Sequence, residues 1–436
     1  MDYLIIAAIG ALASVLANKG IAVFNDGFRP IVPQYFEGKI SRKELGAMSF
    51  AISFGLVIGF GIPTSIAATI LLIHCLLLTT DIIGTWCPDN TMGTIIAGVI
   101  GALYGVGILV GLEVIVKVFA ALPYNFLSTL GSVSKYVVVV FAIFPALAVA
   151  YQHGLKKGGI TAALTVLVYF LIKKYGIFAF GAYKIALNGE GMAMLAGTIC
   201  MLVFAATMKV ESTDSNTALV NVFSEKVAKI RKNWILLAIM GGLVAAATSM
   251  SLVAGDPTSL ALLAKGAYSE AALAAFARAI GFVPLIFTTA IVTGVYGPVG
   301  CTFVFVIGLL FHGNPLVAAA LGAVVMVIEL VLINVFAKGM DKFPGVKDMG
   351  EHIRTSMNKV LEIALLVGAV VAAEAMAAAV GLSGIGALFV IGCLLLNRVS
   401  KKPIVELAVG PVACIAFGVL INALILVKLV ALIPTK

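Results

Sequence analysis

Charge is what this sequence has least of. Only 11% of its 436 residues are charged, against 62% hydrophobic, and the mean hydropathy is +1.15. A soluble globular domain carries roughly 25% charged residues. A surface so poor in charge would not stay in water, so lipid is the solvent for most of the chain and the class is an all-α polytopic membrane protein. The six cysteines are scattered and form no CxxC or CxxH pair, so neither a disulfide framework nor a metal site is indicated. The sequence lacks GxxxxGK followed by Ser or Thr, which excludes a nucleotide-driven pump carried on this chain alone. HExxH and GxSxG are also absent; the chain is not read as an enzyme, and no cofactor is called for. The net charge of +9 does not come as a basic run with interleaved aromatics, so nucleic acid is not an expected partner. A basic n-region is missing from MDYLIIAAIGALASVLA, which reads as a first membrane helix.

Long apolar segments, by contrast, fill the chain. They begin at Tyr3–Val23, Leu45–Gly61, Thr64–Ile83 and Met92–Val116, and end at Val360–Val380, Ile385–Leu396 and Ile404–Leu432. Allowing for half-helices and re-entrant segments, the expectation is roughly 11–14 transmembrane helices. Basic residues gather in the short gaps 37–44, 153–158, 209–233, 338–359 and 397–403, the pattern of cytoplasmic loops. Parity then puts both termini outside, with Lys173 and Lys174 on the wrong side. The longest polar gap divides the chain into a first membrane half (1–208), a cytoplasmic linker (209–233) and a second membrane half (234–436). An odd number of spans per half makes the halves inverted repeats, a common plan for secondary transporters. Phe24–Pro33 and Phe276–Pro284 are the segments whose residues match best between the halves.

Ionisable groups at membrane depth are costly and therefore suspect. Those of interest are Asp26, Arg29, Asp81, Glu113, Glu190, Arg278, Glu329, Glu362 and Glu374. In FNDGFRPIVP (Phe24–Pro33), Pro30 and Pro33 rule out a plain helix, and a broken backbone at depth must line a cavity or cap a helix at the interface. Arg29 then binds an anionic group while Asp26 orients it or takes a proton; the bland alternative is an aspartate cap and a snorkelling arginine. Arg278, Gly281, Pro284, Thr288 and Thr289 give a second bent segment with inward hydroxyls; alternatively the threonines only bond their own backbone. In FHGNP, His312 and Asn314 could donate to a solute, or simply form a turn. Asp81, beside Thr79 and Thr80, and Glu329, in mid-span, suit a coupling proton or sodium ion. TGVYG (Thr293–Gly297) does not have the order of a potassium filter. Gly101/Gly105 and Gly107/Gly111 are spaced for close helix packing.

FNDGFRPIVPQYFEG, LTTDIIG, RAIGFVPLIFTTAIVTGVYG, NPLVAAALGAVV and MNKVLEIALLVGA together resemble the YhfT family of bacterial inner-membrane proteins over nearly the whole chain. The resemblance implies a bacterial inner membrane and raises the expectation of transport; no functional residues carry over from it. The expected function is a secondary transporter of a small polar, anionic metabolite. Broken segments at Asp26–Pro33 and Arg278–Pro284 would meet near the midplane, with Arg29, Arg278, Thr288 and Thr289 at the site. The alternatives are the permease of a sugar phosphotransferase-like system and an intramembrane enzyme. The partners expected are a small-molecule substrate, membrane lipid and, by analogy with other carriers, a second copy in a homodimer.

Overall fold

The computed structural model describes residues 1–126, 129–130, 139–180, 183–208, 222–340, 349–403 and 406–433. Among these, six helices are each long and apolar enough to cross a bilayer: Thr91–Ala120, Leu155–Tyr175, Gly189–Ala206, Pro315–Gly339, Thr355–Ala378 and Val409–Leu426. Two further pairs reach that length only together. Phe223–Lys232 and Trp234–Ser249 meet at 64°, and Tyr268–Val283 and Leu285–Thr293 at 42°. Asp2–Asn18, Ile73–Trp86 and Ile385–Val399 are shorter apolar helices. The chain is an all-α polytopic membrane protein with broken spans. A hairpin of Ile177–Phe180 with Tyr183–Ala186 is the one strand pair outside the centre among the described residues, and it lay unread in the sequence.

Why the first helix stops at Asn18 is local. Lys19 is followed by Gly20 at φ +58°, whose N–H returns to Ala17 O (3.0 Å) while that of Ile21 returns to Leu16 O (2.9 Å). Glycine reaches this left-handed conformation without a Cβ clash. The chain leaves extended through Ile21–Val23. The same closure ends the Trp234–Ser249 helix. Ser251 stands at φ +57°, its N–H bonds Thr248 O (3.0 Å), and that of Leu252 bonds Ala247 O (2.9 Å).

These two extended exits pair, in parallel, with two others. Val23 N–H donates to Tyr296 O (2.8 Å) and Tyr296 N–H to Ile21 O (3.0 Å). Leu71 N–H donates to Leu252 O (3.1 Å), with Leu71 opposite Val253 and Leu72 opposite Ala254. Leu71 and Tyr296 are reached alike, through left-handed residues at helix ends: Thr69 (φ 57°) and Gly294 (φ 71°). Non-helical backbone at depth must find its hydrogen bonds inside the protein, and the parallel pairing supplies them.

The surrounding helices repeat the theme. The first helix packs on Thr91–Ala120, where a side chain on Gly101 would run into Ser14 and one on Gly105 would meet the Ile6 carbonyl at 2.6 Å. Trp234–Ser249 packs on Pro315–Met340, where a Cβ on Gly241 would meet the Gly322 carbonyl at 2.9 Å. Small residues here allow backbone to touch backbone, which is how helices associate without a hydrophobic driving force. Gly107 and Gly111 face open space instead. Asn18 Nδ2 donates to Cys87 O (3.3 Å) just before the Thr91–Ala120 helix, and Ser249 Oγ donates to Phe311 O (2.7 Å) just before Pro315–Met340. The expected linker lies partly outside the described residues. Its end, Val222–Lys232, is an amphipathic helix whose Lys226 Nζ donates to Val292 O (2.7 Å), while Lys229 Nζ sits 3.8 Å above the Phe36 ring.

Candidate functional site

Where the extended exits cross, they leave a cavity of about 140 Å³, lined by polar groups of both segments: Asn25, Asp26 and Arg29 from one, Asp256 and Thr258 from the other. His74, Asn188, Glu190, Arg278 and Thr302 complete its polar lining, with Phe24, Phe60, Phe282 and Phe305 among the apolar walls.

The Asp26–Arg29 stretch folds as a short 3-10 turn, Arg29–Ile31, that runs into Val32–Phe36. Proline fits at the start of such a turn because the first N–H groups have no intrahelical partner. Arg29 is only 1% exposed. Its Nε and Nη2 donate to Val23 O at 3.4 and 3.2 Å, its Nη1 donates to Thr289 Oγ1 at 2.6 Å, and its Nη2 is ion-paired with Asp26 at 2.7 Å. The guanidinium thus ties the first-half unwound segment to the Tyr268–Thr293 helix. Thr289 Oγ1 also donates to Leu285 O (2.8 Å), and Thr288 Oγ1 does likewise (3.1 Å). Neither threonine lines the cavity. Their hydroxyls serve the backbone one turn back, as threonines inside apolar helices do, and Thr289 additionally orients Arg29.

Arg278 is placed differently from expectation. It does not lie in an unwound segment but within the Tyr268–Thr293 helix, which bends by 42° between Val283 and Leu285. The unwound partner of Phe24–Arg29 is instead Ser251–Asp256, which pairs with Leu71–Leu72. Asp256 then caps the helix Pro257–Leu263: Oδ1 accepts from Thr258 N and Ser259 N, both at 2.9 Å, and Oδ2 accepts from Ser259 Oγ at 2.5 Å. Arg278 Nη1 donates to Gly255 O (2.8 Å) and lies 4.0 Å from Asp256 Oδ2, with its guanidinium 4.6 Å from the centre of the Phe282 ring. It is 18% exposed, to the cavity, and carries fewer protein bonds than Arg29. Of the two arginines it is the one with donors to spare.

Asp81, 2% exposed, accepts from the backbone N–H of Phe24 (3.1 Å) and Asn25 (2.9 Å). It therefore holds the unwound segment from behind. Glu329 holds a different non-helical stretch, Tyr296–Cys301: Oε2 accepts from Tyr296 Oη (2.5 Å) and from Cys301 N (2.7 Å). Around it the chain passes through Gly300 (φ 54°) and Thr302 (φ 75°), both of which line the cavity. His312 and Asn314 lie away from the cavity. His312 stacks on Tyr268 with ring centres 3.6 Å apart and bonds Ser251 Oγ (3.0 Å); Asn314 N–H reaches Ser249 Oγ (3.2 Å). The turn reading describes both, because Gly313 at φ 78° reverses the chain there.

Glu190 lines the cavity and is ion-paired with Lys173 at 3.0 Å, which gives the lysine a partner where its position had looked anomalous. Glu374 accepts from the N–H of Gly384 and Ala387, at the start of Ile385–Val399, and Glu362 pairs with Lys359 (3.3 Å). The Glu113 side chain lies outside the described residues. Two cavity groups had no strong sequence signal. Asp256 sits in GDPTS, which announces a helix cap and nothing more; His74 is one histidine in an apolar run.

Fold and cavity together define a class: a multi-pass helical membrane protein with two broken segments crossing at a charged pocket. The comparisons narrow it to a family. Residues 2–430 match the YhfT family, whose description reads "Protein of unknown function". The chain is 36% identical over 440 residues to "Uncharacterized protein YhfT" of Escherichia coli strain K12, covering 97% of each. It belongs to the YhfT family. No solved structure matches.

Proposed function

We propose that this chain is a secondary transporter of a small polar, anionic metabolite across the bacterial inner membrane. The observation that carries the reading is the crossing itself. Two interrupted segments, each satisfied by parallel backbone pairing, enclose a pocket holding the Asp26–Arg29 and Asp256–Arg278 pairs. Charged groups and irregular backbone at this depth are expensive, and a solute path is the usual reason to keep them.

The two halves are, on this reading, inverted repeats. In support, Gly20 and Ser251 close equivalent helices, Asn18 and Ser249 make equivalent contacts, and the pairing of Ala22 with Tyr296 matches that of Val253 with Leu71. Asn25 Nδ2 reaches Ser53 Oγ (3.1 Å) where Asp256 faces Arg278. The backbone plan is thus shared while the charge is not. Arg278 receives the solute's anionic group; Arg29 braces the site. Asp81, gripping Phe24–Asn25, and Glu329, gripping Tyr296 and Cys301, are the candidates for a coupling ion, because releasing either grip would loosen the cavity wall. Proteoliposomes containing only the purified protein provide the test. Solute uptake driven by an imposed ion gradient, and lost in Arg278→Ala that is still folded, supports the reading; gradient-independent uptake, or uptake unaltered by Arg278→Ala, overturns it.

A further inference from the structure

His74 is the second residue of the Ile73–Trp86 helix, just after the Leu71–Leu72 strand that pairs with Val253–Ala254. Its imidazole is clamped edge-on between Phe24 (centroids 5.0 Å apart, 84°) and Phe60 (4.9 Å, 85°). Two aromatic contacts orient the ring, and no hydrogen bond does: Nδ1 is buried without a partner among the described residues. A buried polar atom left this way is unfavourable unless something else comes to satisfy it. The ring lines the same cavity as Arg278. In the second half, where Tyr296 stands as Leu71 does, the residue three positions on is Val299, so the scaffold does not itself require an imidazole there.

The charges around the ring constrain what could bind. Asp26 is engaged by Arg29, Glu190 by Lys173, and Asp256 by its own helix cap. That leaves Arg278, against Phe282, as the cation with the fewest protein contacts in the cavity. Three acids in the lining penalise a dianion; one planar carboxylate matches one guanidinium fork. We infer that His74 and Arg278 together form the binding site for a small monocarboxylate, with His74 supplying a hydrogen bond to it. This rests on reading the cavity as a solute site, and adds the solute's chemical class and a residue that contacts it.

Thermal-shift titration of the purified protein with lactate, pyruvate and glycerate tests it, with inorganic phosphate and choline as comparators. At least one monocarboxylate should stabilise the protein, and phosphate and choline should not. His74→Phe, which keeps a ring between Phe24 and Phe60, should weaken that carboxylate at least about tenfold, the scale of one lost hydrogen bond. His74→Gln, which restores a polar atom, should recover part of the loss. A second measurement does not depend on the variants folding: the bound carboxylate should protect His74 from diethylpyrocarbonate, read by mass spectrometry, and leave His312 unprotected. Equal affinity in His74→Phe and wild type, or no protection at His74, overturns the role of His74 and leaves transport standing. Stabilisation by phosphate alone, or by none of the carboxylates, overturns the monocarboxylate class. Carboxylate binding with His74 dependence but no gradient-driven uptake overturns transport instead and leaves the site intact.

Discussion

Arg29 separates a bracing role from a solute-binding one. Replacing it with alanine removes the hydrogen bond to Thr289, those to Val23 O, and the partner of Asp26 in one step. Breaking a buried pair from one side costs about 3–5 kcal/mol, because the remaining charge stays buried without compensation. The lost bonds to Thr289 and Val23 are part of the same network, so their roughly 1 kcal/mol each does not simply add. The expected destabilisation is therefore about 3–5 kcal/mol. Fluorescence-detected thermal unfolding in detergent should show a large drop in Tm for Arg29→Ala and a smaller one for Arg278→Ala, which is 18% exposed to the cavity and makes fewer bonds. Removing the acid as well, in Asp26→Ala/Arg29→Ala, should recover part of the loss. If Arg29→Ala melts with wild type, or the double variant is worse than the single, the arginine is not the brace described here.

Asp81→Leu should cost about 2–4 kcal/mol by stranding the buried N–H groups of Phe24 and Asn25, with Asp81→Asn near half of that; faster hydrogen exchange at those two amides is the check. Gly300→Ala introduces a side chain at φ 54° whose Cβ would meet Tyr296 Oη at 2.8 Å and collide with the Glu329 carboxylate, so about 1–3 kcal/mol of stability should go, measured by thermal unfolding. Outside the membrane spans, Ser41 N–H and Oγ hold the Glu44 carboxyl below its ordinary value of 4.5. A lowered carboxyl pKa stabilises above that value and the benefit fades as pH falls through it. The Tm gap between wild type and Ser41→Ala should accordingly narrow on acidification below 4.5; a gap that widens refutes the capping role.

The class of fold was legible because composition alone leaves only lipid as solvent, and the broken stretch at Asp26–Arg29 was legible because two prolines flank a charged pair in an apolar chain. What escaped did so for definable reasons. Arg278 and Pro284 looked like a second broken segment because their residue types resemble Arg29 and Pro33; yet a proline can bend a helix that still continues, and Tyr268–Thr293 does so, at 42°. The true unwound counterpart, Ser251–Asp256, carries no proline until Asp256 has already capped the next helix. Thr288, Thr289, His312 and Asn314 had the right chemistry for a solute, but periodicity says nothing about whether a hydroxyl turns to its own carbonyl or to a cavity. His74 had no neighbours in sequence to mark it: Phe24 and Phe60 reach it only after folding.

The same reasoning accounts for why likeness between the halves is clearer in backbone than in residue identity. A left-handed helix end needs only a residue that tolerates φ near +60°, and Gly20, Ser251, Thr69 and Gly294 all meet that need. A loop carbonyl needs only a donor, and Asn18 or Ser249 will serve. Backbone requirements of this kind constrain geometry while leaving side chains free to diverge. The positions where divergence then has chemical consequences are those facing the cavity: Asn25 beside Ser53 on one side is uncharged, Asp256 beside Arg278 on the other is an ion pair. Both frames carry charge into the pocket, but Arg29 is committed to Asp26, Thr289 and Val23 O, whereas Arg278 has one backbone bond and a 4.0 Å approach to Asp256. Under the transport proposal, that difference in free donors singles out Arg278, and not its better-buried companion Arg29, for contact with the solute.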